Sequence, residues 1–295
     1  MSDSIRNRKI VASTLNAASR FGNEIAVVTG LAKSTPIDPL KVVECESHFI
    51  VAHGDNFADA FDGRLEYDHP LFVLFYNTKY DHLWPHRGEH HPKVHFTIAH
   101  ELGHYFLERH RRYLLKARQP HNSEAEFVAD NFAEREADCF AAGLLMPETL
   151  LRPRVNKRPP SIPAIRNATG DYHVSFTSML VRWIQLCDFP CAMACVQGGN
   201  IKWGFISEGF AQKRIFALKR ATPLGSSDAL EFYRQESALK AYREGSGWGI
   251  TSQWFDSDHK GIEVNESYLV VPSTQQMLIL LTASEDDLPE ASDDD

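Results

Sequence analysis

The sequence contains no apolar stretch approaching the ~18 residues that a membrane-crossing helix needs. Cysteine is sparse: five in 295 residues, an odd number with no framework spacing. That argues against a disulfide-stapled secreted domain and for free thiols in a reducing compartment. Positive charge is in short supply too. The net charge is −8, and seven of the acidic side chains fall in the last twelve residues, "SEDDLPEASDDD", where no basic one occurs. The rest of the chain is close to neutral, so it has no broad basic field to draw in nucleic acid or an anionic membrane. The opening "MSDSIRNRKIVASTLNAASRF" lacks the continuous apolar core of a secretory signal. These absences together predict a cytoplasmic chain without a membrane segment. Internal repeats are also lacking, and no feature fixes an oligomeric state.

The remaining composition, 43% hydrophobic and 24% charged, is that of an ordinary globular protein with ample chain for a core. The patterning predicts a helix over about 5–20 and a short one after "STPIDP". Strands are expected at "HFIVAH" and "LFVLFYN", with "FADAFDGRL" between them as a turn or third strand. A polar loop, "DHLWPHRGEHHPK", precedes a helix around residue 100, and another helix over about 132–146 ends at Pro147. "NKRPPSIP" reads as a linker. Short strands then follow at "CAMACVQ", "IKWGFIS", "RIFALKR", "ESYLVVP" and "MLILLTA". The expected organisation is a first domain over 1–155, a helical connector over 156–188, a mixed β-rich domain over 189–283 and a disordered acidic tail over 284–295.

Chemistry concentrates in "HFTIAHELGHYFL" (95–107). His100 and His104 lie one helical turn apart on the same face, so both imidazoles can hold one metal ion, and Glu101 beside them can reach a water. Gly103 costs about 0.5–1 kcal/mol in mid-helix relative to alanine, which suggests a close approach on that face. A catalytic zinc also needs a third protein ligand. "AEREADCFAAGLLMP" offers Glu134, with Asp138 four residues on to hold the far nitrogen of a ligand histidine. Helical geometry alone leaves an alternative open, a surface helix with solvated carboxylates, since Glu136 is present too.

"FTIAHELGHYFL" followed after a polar loop by "EREADCFAAGLLMP" resembles the ImmA/IrrE family of bacterial metallopeptidases. "TPIDPLKVV", "AFDGRL" and "LFVLFYN" extend the likeness over about residues 25–150. The resemblance implies an α+β chain: a zincin-like metallopeptidase domain, a helix-turn-helix-like connector and a C-terminal domain with a sensor role. It implies that His100, His104 and Glu134 are metal ligands and Glu101 is the catalytic base. Asp138 takes a supporting role by similarity to thermolysin-like enzymes. The metal is expected to be one Zn2+ per chain, although two histidines and a carboxylate also suit Mn2+ or Fe2+. Zinc would acidify a water that Glu101 deprotonates for attack on a peptide carbonyl. The implied partner is a helix-turn-helix transcriptional repressor, cut in response to stress or DNA damage.

For the oxyanion, Tyr105, Tyr113 and His121 are the nearby donors, with none preferred. "LFVLFYN" is either a sheet edge for an extended substrate or an ordinary core strand. The His82, His86, His90 and His91 run reads as a solvated loop, and Cys187, Cys191 and Cys195 as core thiols. Within the connector, "AIRNATGDYHVSFTSMLVRWIQL" has only two basic residues, Arg166 and Arg182, against Asp171, which argues against direct DNA binding. The competing readings are a DNA-binding regulator and an interaction protein, each with a structural or vestigial metal site.

Overall fold

The computed structural model describes residues 3–86, 88–117, 121–123, 132–215, 218–219, 227–235, 238–256 and 261–288, the side chains of 3–10, 117 and 121–123 excepted. The chain forms two compact units. One comprises Met1–Leu150 with Ala168–Ser178, the other Leu151–Asn167 with Met179–Asp295. The fold class is α+β, as the resemblance implies.

The first unit contains α1 (Asp3–Val28), α2 (Leu40–Cys45), β1 (Ile50–Asp55), β2 (Gly63–Asp68) and β3 (Leu71–Asn77). It continues with α3 (Pro92–Phe106), α4 (Glu108–Ala117), β4 (His121–Ser123) and α5 (Phe132–Leu145). Its sheet runs β1-β3-β2-β4; β1 is parallel to β3, and the other pairs are antiparallel. "LFVLFYN" is therefore not an edge open to a substrate. Strand β3 is bonded on both sides, and its apolar character reflects burial, with Phe72 packing edge-on against Tyr105 of α3. The sheet's edges among the described residues are β1 and β4.

Helix α3 is buried almost all round, from Phe96 to Tyr105, because the sheet and α5 both pack on it. Helix α1 continues to Val28, beyond the expected end near residue 20. Gly22, beyond that expected end, lies inside the helix. A Cβ on it would strike the Phe140 carbonyl, and one on Gly143 would strike the Ser19 carbonyl, so α1 and α5 meet backbone to backbone.

The histidine-rich loop is only partly solvated. His82 and His86 are exposed, but His90 and His91 anchor the start of α3. Asp81 pairs with His90 (2.7 Å) and accepts the His91 backbone N–H (2.8 Å), and the His91 side chain caps Lys93. Behind this cap His95 packs against His173, ring centroids 4.5 Å apart. Burial, and then the neighbouring His173, push the His95 pKa down from 6.5 to about 4. Between those values the unfolded chain binds a proton that the folded chain refuses. His95 therefore places no penalty on the folded state above pH 6.5 and an increasing one as the pH falls towards about 4. His95→Leu, which cannot titrate, should lose less stability than the wild type when urea midpoints at pH 7 and pH 4.5 are compared. Equal losses would assign the acid sensitivity elsewhere.

Helices α6 (Glu148–Val155), α7 (Ile162–Tyr172) and α8 (Phe176–Leu186) follow α5 and include the segment expected as a connector. Each spans the division between the two units. The second unit is built on an antiparallel sheet of β5 (Cys191–Gln197), β6 (Asn200–Ile206), β7 (Glu244–Ile250), β8 (Glu263–Val271) and β9 (Gln276–Thr282). Its order is β6-β5-β9-β8-β7. Two short helices, α9 (Glu208–Gln212) and α10 (Asp228–Tyr233), contribute Phe210 and Leu230 to its core beside Trp254 and Ile279. Of the expected strand "RIFALKR", only Leu218 makes a bridge, to Phe255, and Phe216, Ala217 and Arg220 lie outside the described residues. Strand β7, "EGSGWGI", escapes the sequence reading because alternate glycines hide its pattern. Leu288 packs into the same core after a 3-10 turn at Glu285–Asp287, so residues 284–288 are not the disordered tail expected of them. Residues 289–295 lie outside the described residues. Cys187, Cys191 and Cys195 are buried free thiols. Among the described residues no helix is long and apolar enough to cross a membrane.

Candidate metal centre

Two helices build the site. Helix α3 presents His100, Glu101 and His104, and α5 presents Glu134 and Asp138. They approach closely because Gly103 faces Ala137: a Cβ on Gly103 would lie 3.0 Å from the Ala137 Cα and 3.1 Å from its carbonyl oxygen. The mid-helix glycine thus admits the second helix and brings carboxylates within reach of imidazoles.

His100 Nε2 lies 3.2 Å from Glu134 Oε2, and His104 Nε2 lies 3.5 Å from Glu134 Oε1. The two Nε2 atoms are 3.1 Å apart. Among the described residues these three side chains form the one group whose ligand atoms, all within 4.8 Å of one another, could hold a metal ion. Asp138 Oδ1 lies 2.8 Å from His100 Nδ1, on the side of the ring away from the group. Four residues predicted from sequence are thereby brought together: His100, His104, Glu134 and Asp138.

Glu101 is fully buried. A Cβ on Gly63 would collide with its carboxylate and with Thr97, so the bare backbone of β2 lies directly over this acid. The charge balance suits a cation. Burial opposes a charge on His100, but hydrogen bonds to Asp138 and Glu134, followed by the Glu101 charge, outweigh it and raise the pKa to about 10. A cluster of carboxylates that pulls a proton onto a buried imidazole meets the same demand when a divalent cation replaces that proton. Two imidazoles and one carboxylate, with further carboxylates behind, fit zinc chemistry.

The proposed oxyanion donors fare unevenly. Tyr105 is buried and donates its hydroxyl hydrogen to Glu46 Oε2 at 2.9 Å, so it is committed elsewhere. Tyr113 is 65% exposed on α4. The side chain of His121 lies outside the described residues.

The sequence reading missed His110 and took Glu136 as a sign of a solvated helix. His110 Nδ1 lies 3.1 Å from His104 Nδ1, and His110 Nε2 lies 3.1 Å from Glu136 Oε2. Both side chains are buried. A straight helix would carry His110 to the opposite face from His104, since six residues advance it by about 240°. The helix is not straight. Leu107 adopts an extended conformation (φ −70°, ψ 112°), and α4 starts afresh at Glu108 and turns His110 back. The only sequence signal was a third histidine ten positions after His100.

The sequence pattern of the IrrE N-terminal-like domain matches residues 84–183, a span that contains both helices of the site. Comparison with curated proteins found no match. A solved structure described as a Mycobacterium tuberculosis transcriptional regulator is similar over 91% of this chain and 76% of that one, with 11% identity and a TM-score of 0.50. At that identity the likeness is one of fold.

Proposed function

Since the chain carries a domain of the ImmA/IrrE family of metallopeptidases, we propose that it is a zinc-dependent endopeptidase whose substrate is a helix-turn-helix transcriptional repressor. The observation that carries the reading is the convergence of His100, His104 and Glu134 beside the buried carboxylate of Glu101. A purely structural metal site has no use for that acid.

Bound zinc supplies Lewis acidity, polarising a peptide carbonyl and acidifying water. The chain's own groups do the rest. His100 and His104 present lone pairs from Nε2, and Glu134 supplies a negative charge between them. Glu101 accepts the proton of the attacking water and returns it to the departing amine. Its side chain is buried beneath the bare backbone of Gly63.

A repressor substrate and a role in stress or DNA damage rest on the family resemblance. Zinc-loaded protein incubated with a panel of helix-turn-helix repressors should yield one or a few internal cuts, located by mass spectrometry. Rapid digestion of casein to small peptides would contradict a narrow substrate range. Direct DNA binding is less well supported. Arg182 is buried, and Arg166 is engaged by Glu244 and Tyr242, which leaves these two cations poorly placed for phosphates.

A further inference from the structure

We propose that His110 and Glu136 form a positioning relay that fixes the tautomer and orientation of His104; this rests on the metal-centre reading above. The direction of the relay follows from what each group can give. An ionised Glu136 only accepts, so His110 Nε2 carries the hydrogen and donates it across 3.1 Å. His110 Nδ1 is then left with a lone pair and accepts from His104 Nδ1–H, also at 3.1 Å. His104 Nε2 in turn has only its lone pair, and it faces His100 Nε2 and Glu134. Every donor meets one acceptor, and the chain ends with a metal-binding lone pair at the centre.

The arrangement parallels the one on the other histidine. Asp138 accepts directly from His100 Nδ1 (2.8 Å), whereas Glu136 acts on His104 through an inserted imidazole. Helix α5 therefore contributes three carboxylates with two duties: Glu134 within the group, and Asp138 and Glu136 behind the two histidines. The spacing of His100, His104 and His110 is that of zinc peptidases with three histidine ligands, H-E-x-x-H-x-x-G-x-x-H, but Leu107 stands at the glycine position. The geometry points to a different task. His110 meets the Nδ1 side of His104, the side turned away from the group, and it is not among the converging ligand atoms.

Zinc affinity decides this, measured on metal-free protein by competition with a chromophoric chelator, alongside melting of the metal-free forms. His110→Leu should melt cooperatively as metal-free protein yet bind zinc about ten- to a hundredfold more weakly than the wild type. His110→Gln, whose amide can both accept from His104 and donate to Glu136, should recover part of that loss. A folded His110→Leu protein with wild-type affinity would overturn the relay while leaving the metal centre intact. If His110→Leu does not fold, Glu136→Ala decides in its place: several-fold weaker binding supports the relay, and unchanged binding overturns it. A wild type that binds no zinc would remove the metal centre and the relay with it.

Discussion

Glu101→Gln should bind zinc as the wild type does and cleave its repressor substrate about a hundred- to ten-thousandfold more slowly. The substitution preserves volume and removes only the ability to take a proton. Glu101 is not among the three converging ligands, so metal content should not change. Its side chain is fully buried, with Gly63 directly over the carboxylate. The readout is the ratio of kcat/KM values, with metal content measured on the same preparations. A variant retaining more than about a tenth of wild-type activity would place the base elsewhere. An interaction protein that used the site only as scaffold would keep its phenotype in this variant.

Glu134→Ala should weaken zinc binding by more than about a hundredfold, beyond the ten- to hundredfold cost of losing an outer-shell partner. Glu134 supplies the one carboxylate that lies between the two Nε2 atoms. Without it the group has two imidazoles and one unit less negative charge. The fold should survive, because Glu134 occupies the first turn of α5, where losing an acidic residue costs about 0.3–1 kcal/mol. Chelator competition gives the affinity and thermal melting checks the fold. A loss below about tenfold would mean that the third ligand is another residue.

The parts of this site legible in sequence were those set by local helical spacing. His100, Glu101 and His104 need only one helix and its 3.6-residue period, and Glu134 and Asp138 need only another. Joining the two helices was beyond periodicity and came from the family resemblance; the physical cause, Gly103 against Ala137, is a tertiary contact. His110 and Glu136 were hidden for a different reason. Their pairing depends on a break at a single leucine, Leu107, which no turn residue announces. Glu136 even counted towards a solvated helix, although it is buried. The same limit applied to β3, where apolar character could not distinguish an edge from the middle of a sheet. In β7 the alternate glycines removed the side chains on which a strand pattern depends.

Elemental analysis of the purified wild-type chain, with Glu101→Gln and Glu134→Ala prepared in parallel, tests the metal centre most directly. The predicted result is about one zinc per chain in the wild type and in Glu101→Gln, and a sharply lower content in Glu134→Ala. A wild type without metal, even after zinc is supplied and excess removed, would contradict the account, because His100, His104 and Glu134 would then converge on nothing.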